Sequence, residues 1–153
     1  MKELSEIVSA AELLRKSGNK GALATVVKVQ GSAYRRPGAR MLFSERGREA
    51  GFVSAGCLEA DLMERARKVM SSNLPALISY DTSSTGDLIM GLGLGCNGMV
   101  EILLEPLIEN MDFKQRFLRS LVDNKQRGAM ATVFREKGFP ESLGRVLTVS
   151  SDM

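Results

Sequence analysis

Gly21-Ala22-Leu23-Ala24-Thr25-Val26 recurs near the other end of the chain as Gly128-Ala129-Met130-Ala131-Thr132-Val133. Each copy reads as a buried strand, rich in small and β-branched residues. Each follows a helical pattern, and each is followed, after a turn bearing glycine and proline, by a similar strand. That second strand is Ala39-Arg40-Met41-Leu42 in the first copy and Gly144-Arg145-Val146-Leu147 in the second. Two short β segments can coincide by chance, but here order and spacing match as well. The repeat predicts a duplicated helix-strand-strand unit, with a first copy over about residues 1–107 and a truncated second copy over about 108–153. The sequence stops at Met153 where the first copy turns toward its cysteine, which reads as a fragment or a naturally short form.

Working outward from the repeat, Leu4, Ile7, Val8, Ala11 and Leu14 lie on one helical stripe closed by Ser17-Gly18-Asn19. Ala22–Val29, Arg40–Phe43 and Ala50–Val53 read as short strands punctuated by Gly31, Pro37-Gly38 and Gly47. Helical spacing returns over Cys57–Met70, where Leu58, Leu62, Ala66 and Val69 form the inward stripe. Ala76–Tyr80 and Met99–Leu104 are further strands, and Phe113, Phe117, Leu118 and Leu121 mark another helix. The expected fold class is α+β: one domain over residues 1–153, with a mixed β-sheet flanked by helices.

The chain has 153 residues, 44% hydrophobic and 25% charged, which is enough for one core burying roughly 70% of the unfolded surface. The 21 basic residues are scattered among 18 acidic ones for a net charge of +3, a distribution that argues against nucleic acid as a partner. No apolar stretch approaches a membrane span, and the start MKELSEIVSAAELLRKS lacks the apolar block of a signal peptide. A cytoplasmic location is expected, with the two cysteines reduced.

The chain contains no histidine, so Ser-His-Asp and Cys-His machinery and His-bearing zinc sites are excluded. Chemistry must rest on thiolates, carboxylates, arginines and backbone amides. Ser54-Ala55-Gly56-Cys57 leaves a strand and opens a helix, which would place Cys57 near free amides and the positive end of a helix dipole. Such a thiolate could bind a soft metal, carry sulfur or act as a nucleophile; equally, Cys57 could be a small buried hydrophobe. Gly93-x-Gly95-x-x-Gly98 matches a dinucleotide fingerprint on paper, but the strand-like run from Met99 follows it where a helix is required. Its amides could still hold an anion beside Cys96 and Asn97, or the glycines could serve the turn alone. Gly31–Gly38 carries Tyr34, Arg35 and Arg36, a pairing of arginines suited to phosphate and equally common on exposed hairpins.

QGSAYRRPGARML from Gln30, GFVSAGCLEADL from Gly51, YDTSS from Tyr80 and GLGLGCNGMVEILLEPL from Gly91 together resemble the XdhC/CoxI family of molybdoenzyme accessory proteins. The four blocks stand in the family's order and cover roughly Ala10–Leu107. The resemblance implies a cofactor chaperone in place of a turnover enzyme. Its cargo would be the molybdenum cofactor (molybdopterin), protected during sulfuration and handed to a xanthine-dehydrogenase-type molybdoenzyme. It further implies a homodimer, a cysteine desulfurase as a further partner, and a cofactor surface formed by Arg35, Arg36, Ser54, Gly56, Cys57, Gly93, Gly95, Cys96 and Asn97. Cys57 is the candidate thiolate toward the metal. Many members carry Gly-Gly before the first cysteine, where Ala55-Gly56 stands here, and many carry a C-terminal Rossmann-like domain that these residues do not include. Two other readings stay open from the residues: a sulfur-transfer or nucleotide-processing protein using Cys57 and the Gly91–Gly98 loop, and an interaction module that binds no small molecule.

Overall fold

The alternating apolar residues of the first GALATV copy place one strand at the centre of a five-stranded sheet. In the computed structural model, which describes residues 2–81, 98–107, 112–123, 128–135 and 143–150, the elements follow in the order α1 (Lys2–Lys16), β1 (Gly21–Gly31), β2 (Arg40–Ser44), β3 (Gly47–Gly51), α2 (Glu59–Ser72), β4 (Ala76–Asp81), β5 (Gly98–Pro106), α3 (Asp112–Asp123), β6 (Gly128–Thr132) and β7 (Val146–Ser150). The large sheet has the order β3-β2-β1-β5-β4, and β6 and β7 form a separate two-stranded sheet. No helix among the described residues is long and apolar enough to cross a membrane.

The α+β class and the flanking helices are as the sequence predicts. Within the large sheet every pairing is antiparallel, where a mixture was expected. Strands β3 and β4 do run in the same direction, joined by the α2 crossover, but they occupy opposite edges with three strands between them and never pair. The element ends also shift by one to three residues. The strand expected at Ala50–Val53 is centred earlier, at Gly47–Gly51, because the tight return from β2 begins directly at Ser44 and Gly47 pairs with it.

The two faces of the sheet bury different helices. Ala22, Ala24 and Val26 of β1 point to one face with Met41, Phe43, Ile102 and Leu104, and are covered by Leu58, Leu62, Ala66 and Val69 around α2. Leu23 and Leu42 point to the other face and meet Ile7, Ala11 and Leu14 of α1. That α1 stripe is the predicted one. The helix closes with Ser17 Oγ donating to the Leu14 carbonyl at 2.9 Å and Gly18 at φ +68°, a left-handed conformation suited to glycine.

The two hairpins that carry the GAxATV segments agree in their backbone pairing. In the first unit Gly21 pairs with Ser44 and Thr25 with Arg40; in the second Gly128 pairs with Ser150 and Thr132 with Val146. That register matches Met41 with Leu147, one residue along from the alignment that the letters of the second strand suggest. Beyond the ladders, Val26 N donates to Ala39 O at 2.9 Å and Gly38 N to Val26 O at 2.8 Å. Their counterparts are Val133 N to Arg145 O and Gly144 N to Val133 O, each at 2.8 Å. Gly38 and Gly144 share the left-handed backbone, at φ +96° and +84°. Arg119 of α3 donates to Glu12 of α1 at 2.9 Å, and Arg135 after β6 to the buried Glu101 of β5 at 2.9 Å, while Phe117 and Leu118 of α3 are buried.

Candidate functional site

Strand directions decide where the candidate motifs meet. Strand β1 ends at Gly31, which pairs with Gly98 at the start of β5, and Asp81 at the end of β4 pairs with Met99. Strand β2 begins at Arg40 opposite Thr25, and Gly51 at the end of β3 pairs with Met41. The connections 32–39, 52–58 and 82–97 therefore all leave one end of the sheet. These carry Arg35 and Arg36, Ser54 to Cys57, and Gly93, Gly95, Cys96 and Asn97 respectively. The last four lie outside the described residues. Gly98, where β5 begins, is closely packed: a Cβ there would press against the Gln30 carbonyl and come within 2.7 Å of the Ser32 carbonyl. The paper fingerprint Gly93-x-Gly95-x-x-Gly98 runs straight into β5, not into a helix, which removes the geometry a dinucleotide site needs.

Arg35 is already engaged. One guanidinium nitrogen donates to both carboxylate oxygens of Glu3, at 2.6 and 2.7 Å, and the group stacks over the Phe52 ring at 4.1 Å. It thus joins the start of α1, the 32–39 connection and the 52–58 connection. Arg36 beside it is exposed and lines a cavity of about 440 Å³ with Glu3, Tyr34, Arg35 and Arg40. Arg40 is half-buried and its Nε has no hydrogen-bond partner. Burial lowers the proton affinity of its guanidinium, against the pull of Glu105 and Glu3.

A second cavity, of about 610 Å³, opens on the other side of Tyr34. Its wall includes Tyr34, Met41, Arg48, Phe52, Ser54 and Gly56. Ser54 is buried and fully used: its hydroxyl donates to Glu59 Oε2 at 2.5 Å and accepts from the amides of Gly56 and Leu58, each at 3.2 Å. The Ser54 amide in turn donates to Glu59 Oε1 at 3.1 Å. Leu58, at the helix cap, offers no side-chain acceptor, and the bonds of Ser54 and Glu59 order the turn that leads into the helix.

This arrangement corrects the expected setting of Cys57. The helix begins two residues later, at Glu59, and the amides on both sides of the cysteine, Gly56 and Leu58, are occupied by Ser54 rather than free. Cys57 is a free, half-buried thiol packed at the margin of the α2-side core, as are Val29, Ala33 and Ala39. Among the described residues no three carboxylate or thiol side chains gather as a metal cage.

Asp61, in the first turn of α2, accepts two side-chain hydrogen bonds. The buried Tyr80 hydroxyl donates to Asp61 Oδ2 at 2.5 Å and Arg65 Nε donates to the same oxygen at 2.6 Å. Burial opposes ionisation of Asp61, yet these two hydrogen bonds outweigh it and hold the carboxyl below its ordinary range. Burial, reinforced by the Asp61 carboxylate, pushes the Tyr80 phenol well up. The triad ties α2 to the end of β4, next to the connection 82–97. Glu3, Arg40, Arg48 and Phe52 also escaped the sequence reading. Only Phe52 carried a signal, an aromatic two residues before Ser54.

Residues 14–81 match the model of the XdhC and CoxI family. Over 110 residues the chain is 39% identical to a Bacillus subtilis (strain 168) protein named as a probable xanthine dehydrogenase subunit, covering 72% of this chain and 32% of that one. Over 91 residues it is 37% identical to the molybdenum cofactor insertion chaperone PaoD of Escherichia coli (strain K12), covering 60% and 28%. A crystal structure described as a xanthine dehydrogenase from Bacillus halodurans superposes with a TM-score of 0.71 at 35% identity, covering 94% of this chain and 41% of that chain. The chain thus spans about a third of the length of the curated relatives it matches. Residues 14–81 thus match the XdhC and CoxI family, and the chain is similar to relatives named for xanthine dehydrogenase and for molybdenum cofactor insertion.

Proposed function

We propose that this protein binds the molybdenum cofactor as cargo and hands it to a xanthine-dehydrogenase-type molybdoenzyme, acting as an insertion chaperone and not as a turnover enzyme. The observation that carries the reading is the convergence of three connections at one end of the sheet, with two cavities meeting at Tyr34. The names of two relatives, one a probable xanthine dehydrogenase component and one a molybdenum cofactor insertion chaperone, support the same class.

The chemistry of the walls suits such a cargo. Arg36 and Arg48 would meet the phosphate, while Tyr34 and Phe52 offer flat faces to the pterin and Met41 a polarisable sulfur. Arg35, spoken for by Glu3, would position the loop rather than grip the ligand. Ser54 and Gly56 would shape the turn, and Cys57 would approach the metal side together with Cys96 and the amides around Gly93, Gly95 and Asn97. In this reading residues 1–153 form one domain of two unequal repeats, working in the cytoplasm as a homodimer and receiving sulfur from a cysteine desulfurase.

The test is the pterin content of the protein purified from a cofactor-producing cell, read by fluorescence after oxidation. Bound pterin is expected in the parent, with strong loss in Arg36→Ala and Cys57→Ala and partial loss in Arg35→Ala. A parent without pterin, or variants that retain it in full, would refute the reading.

A further inference from the structure

The guanidinium groups of Arg35, Arg36 and Arg40 line the cavity of about 440 Å³ beside α1, while Glu3 supplies the only carboxylate of its described wall. Even counting Glu105, whose charge reaches Arg40 from outside that wall, the cations are in excess. The engagement of Glu3 is shallow. A single nitrogen of Arg35 serves both of its oxygens, and the Arg35 and Glu3 side chains stay 22% and 35% exposed. Ion pairs that open to water add little to stability, because water competes for both charges. Arg36 is exposed, whereas Arg40 is half-buried, has a buried Nε without a hydrogen-bond partner and carries a charge that burial disfavours. The chemistry that completes such a cluster is an oxyanion able to accept from several N–H groups at once.

We infer that this cavity is an oxyanion site in which Glu3 is a built-in competitor: a phosphate group entering beside Arg36 displaces the Glu3 carboxylate from Arg35 and frees the start of α1 from the 32–39 connection. Glu3 is well placed to compete. It lies in the first turn of α1, where side chain and backbone can move at the small cost of fraying one helix end. Arg35 is well placed to receive the newcomer, because its stacking over Phe52 at 4.1 Å does not involve Glu3 and keeps the guanidinium in position when the carboxylate leaves. Phe52 also lines the second cavity, so the exchange takes place where the two cavities adjoin. For a pterin cargo, the exchange regulates the phosphate end of the site and rests on the function proposed above. For a free phosphate group it rests on this cavity alone, so the two readings can fail separately.

The experiment titrates inorganic pyrophosphate into the 153-residue chain by calorimetry at pH 7 and about 0.15 M salt, where charges more than about 8 Å apart are largely screened. The parent is compared with Glu3→Gln, Arg36→Ala and, as the reference for long-range charge, Glu6→Gln on the exposed side of the same helix. A site held most of the time by its own carboxylate shows only the free fraction of its affinity, so Glu3→Gln should bind ~10-fold more tightly than the parent and Glu6→Gln within about 2-fold of it. Arg36→Ala should bind about 10-fold more weakly. In the parent, saturating pyrophosphate should also speed hydrogen exchange at the amides of residues 6–8, one turn beyond Glu3. No binding by either the parent or Glu3→Gln would overturn the inference, as would a gain in Glu6→Gln equal to that in Glu3→Gln, or an Arg36→Ala variant that binds like the parent. Exchange that stays unchanged in a parent saturated with pyrophosphate would overturn it without recourse to any variant.

Discussion

The hairpins β1–β2 and β6–β7 were built from nearly the same six-residue strand, yet one lies at the centre of a core and the other carries bare alanines. Their backbones agree in ladder register, in the two hydrogen bonds beyond the ladder and in a left-handed glycine, so local sequence suffices to specify local geometry. Burial is a different matter. The first hairpin gains β5 along the β1 edge, β3 along the β2 edge and α2 across one face; the second gains none of these among the described residues. A strand's contribution to stability therefore belongs to its neighbours as much as to its letters.

The largest test of that contrast is a charge placed at equivalent positions. Ala24→Asp would bury a carboxylate without a partner, and urea unfolding of the 153-residue chain should show a loss of roughly 4 kcal/mol or more. Ala131→Asp should change stability by less than about 0.5 kcal/mol in the same chain. Similar losses at both sites would break the comparison.

Truncation of the covering helix comes next. Leu62 is fully buried under the sheet, and Leu62→Ala should cost about 3 kcal/mol, whereas Leu147→Ala should be close to neutral. By contrast, the paired turn glycines should behave alike. Gly38→Ala and Gly144→Ala each force a Cβ into a left-handed backbone, for a loss of about 1–2 kcal/mol apiece in thermal melts. A much larger effect at Gly38 would mean that the two turns are less equivalent than their hydrogen bonds imply.

The smallest effect concerns the clamp on α2. Asp61 is held below the ordinary carboxyl range, so its contribution is complete above about pH 4, the unfolded value, and fades as pH falls further through the folded one. Asp61→Asn should lower stability by about 1 kcal/mol at pH 7, and the gap to the parent should close on acidification. Denaturant titrations at pH 7 and pH 3 check both the sign and the window. A gap that stays constant across that range would remove Asp61 from the clamp.

Much of the fold was legible. The α1 stripe, the α2 stripe and the strands follow from periodicity, because a helix or strand with one buried side must repeat its apolar residues at the period of its backbone. The glycines at 38 and 98 were legible as punctuation, but not why Gly98 must lack a side chain, which comes from the Gln30–Ser32 backbone pressed against it. Of the candidate site, the letters singled out Arg35, Arg36, Ser54, Gly56 and Cys57. They gave no sign that Arg35 would be held by Glu3, thirty-two positions away in sequence, or that Ser54 would occupy the amides beside the cysteine.

What the sequence by itself determined is the set of elements and the resemblance to the XdhC and CoxI family, since each rests on residues near one another along the chain. Only the tertiary structure decided which strands pair, that all four pairings of the large sheet are antiparallel, and that three separate connections open at one end. Strand partners are chosen by long-range packing of two faces at once, against α1 and against α2, and no single segment carries that information. The same holds for the charges. A guanidinium is free or committed according to which carboxylate the fold delivers to it, and here the fold delivered Glu3 to Arg35 and left Arg36 exposed.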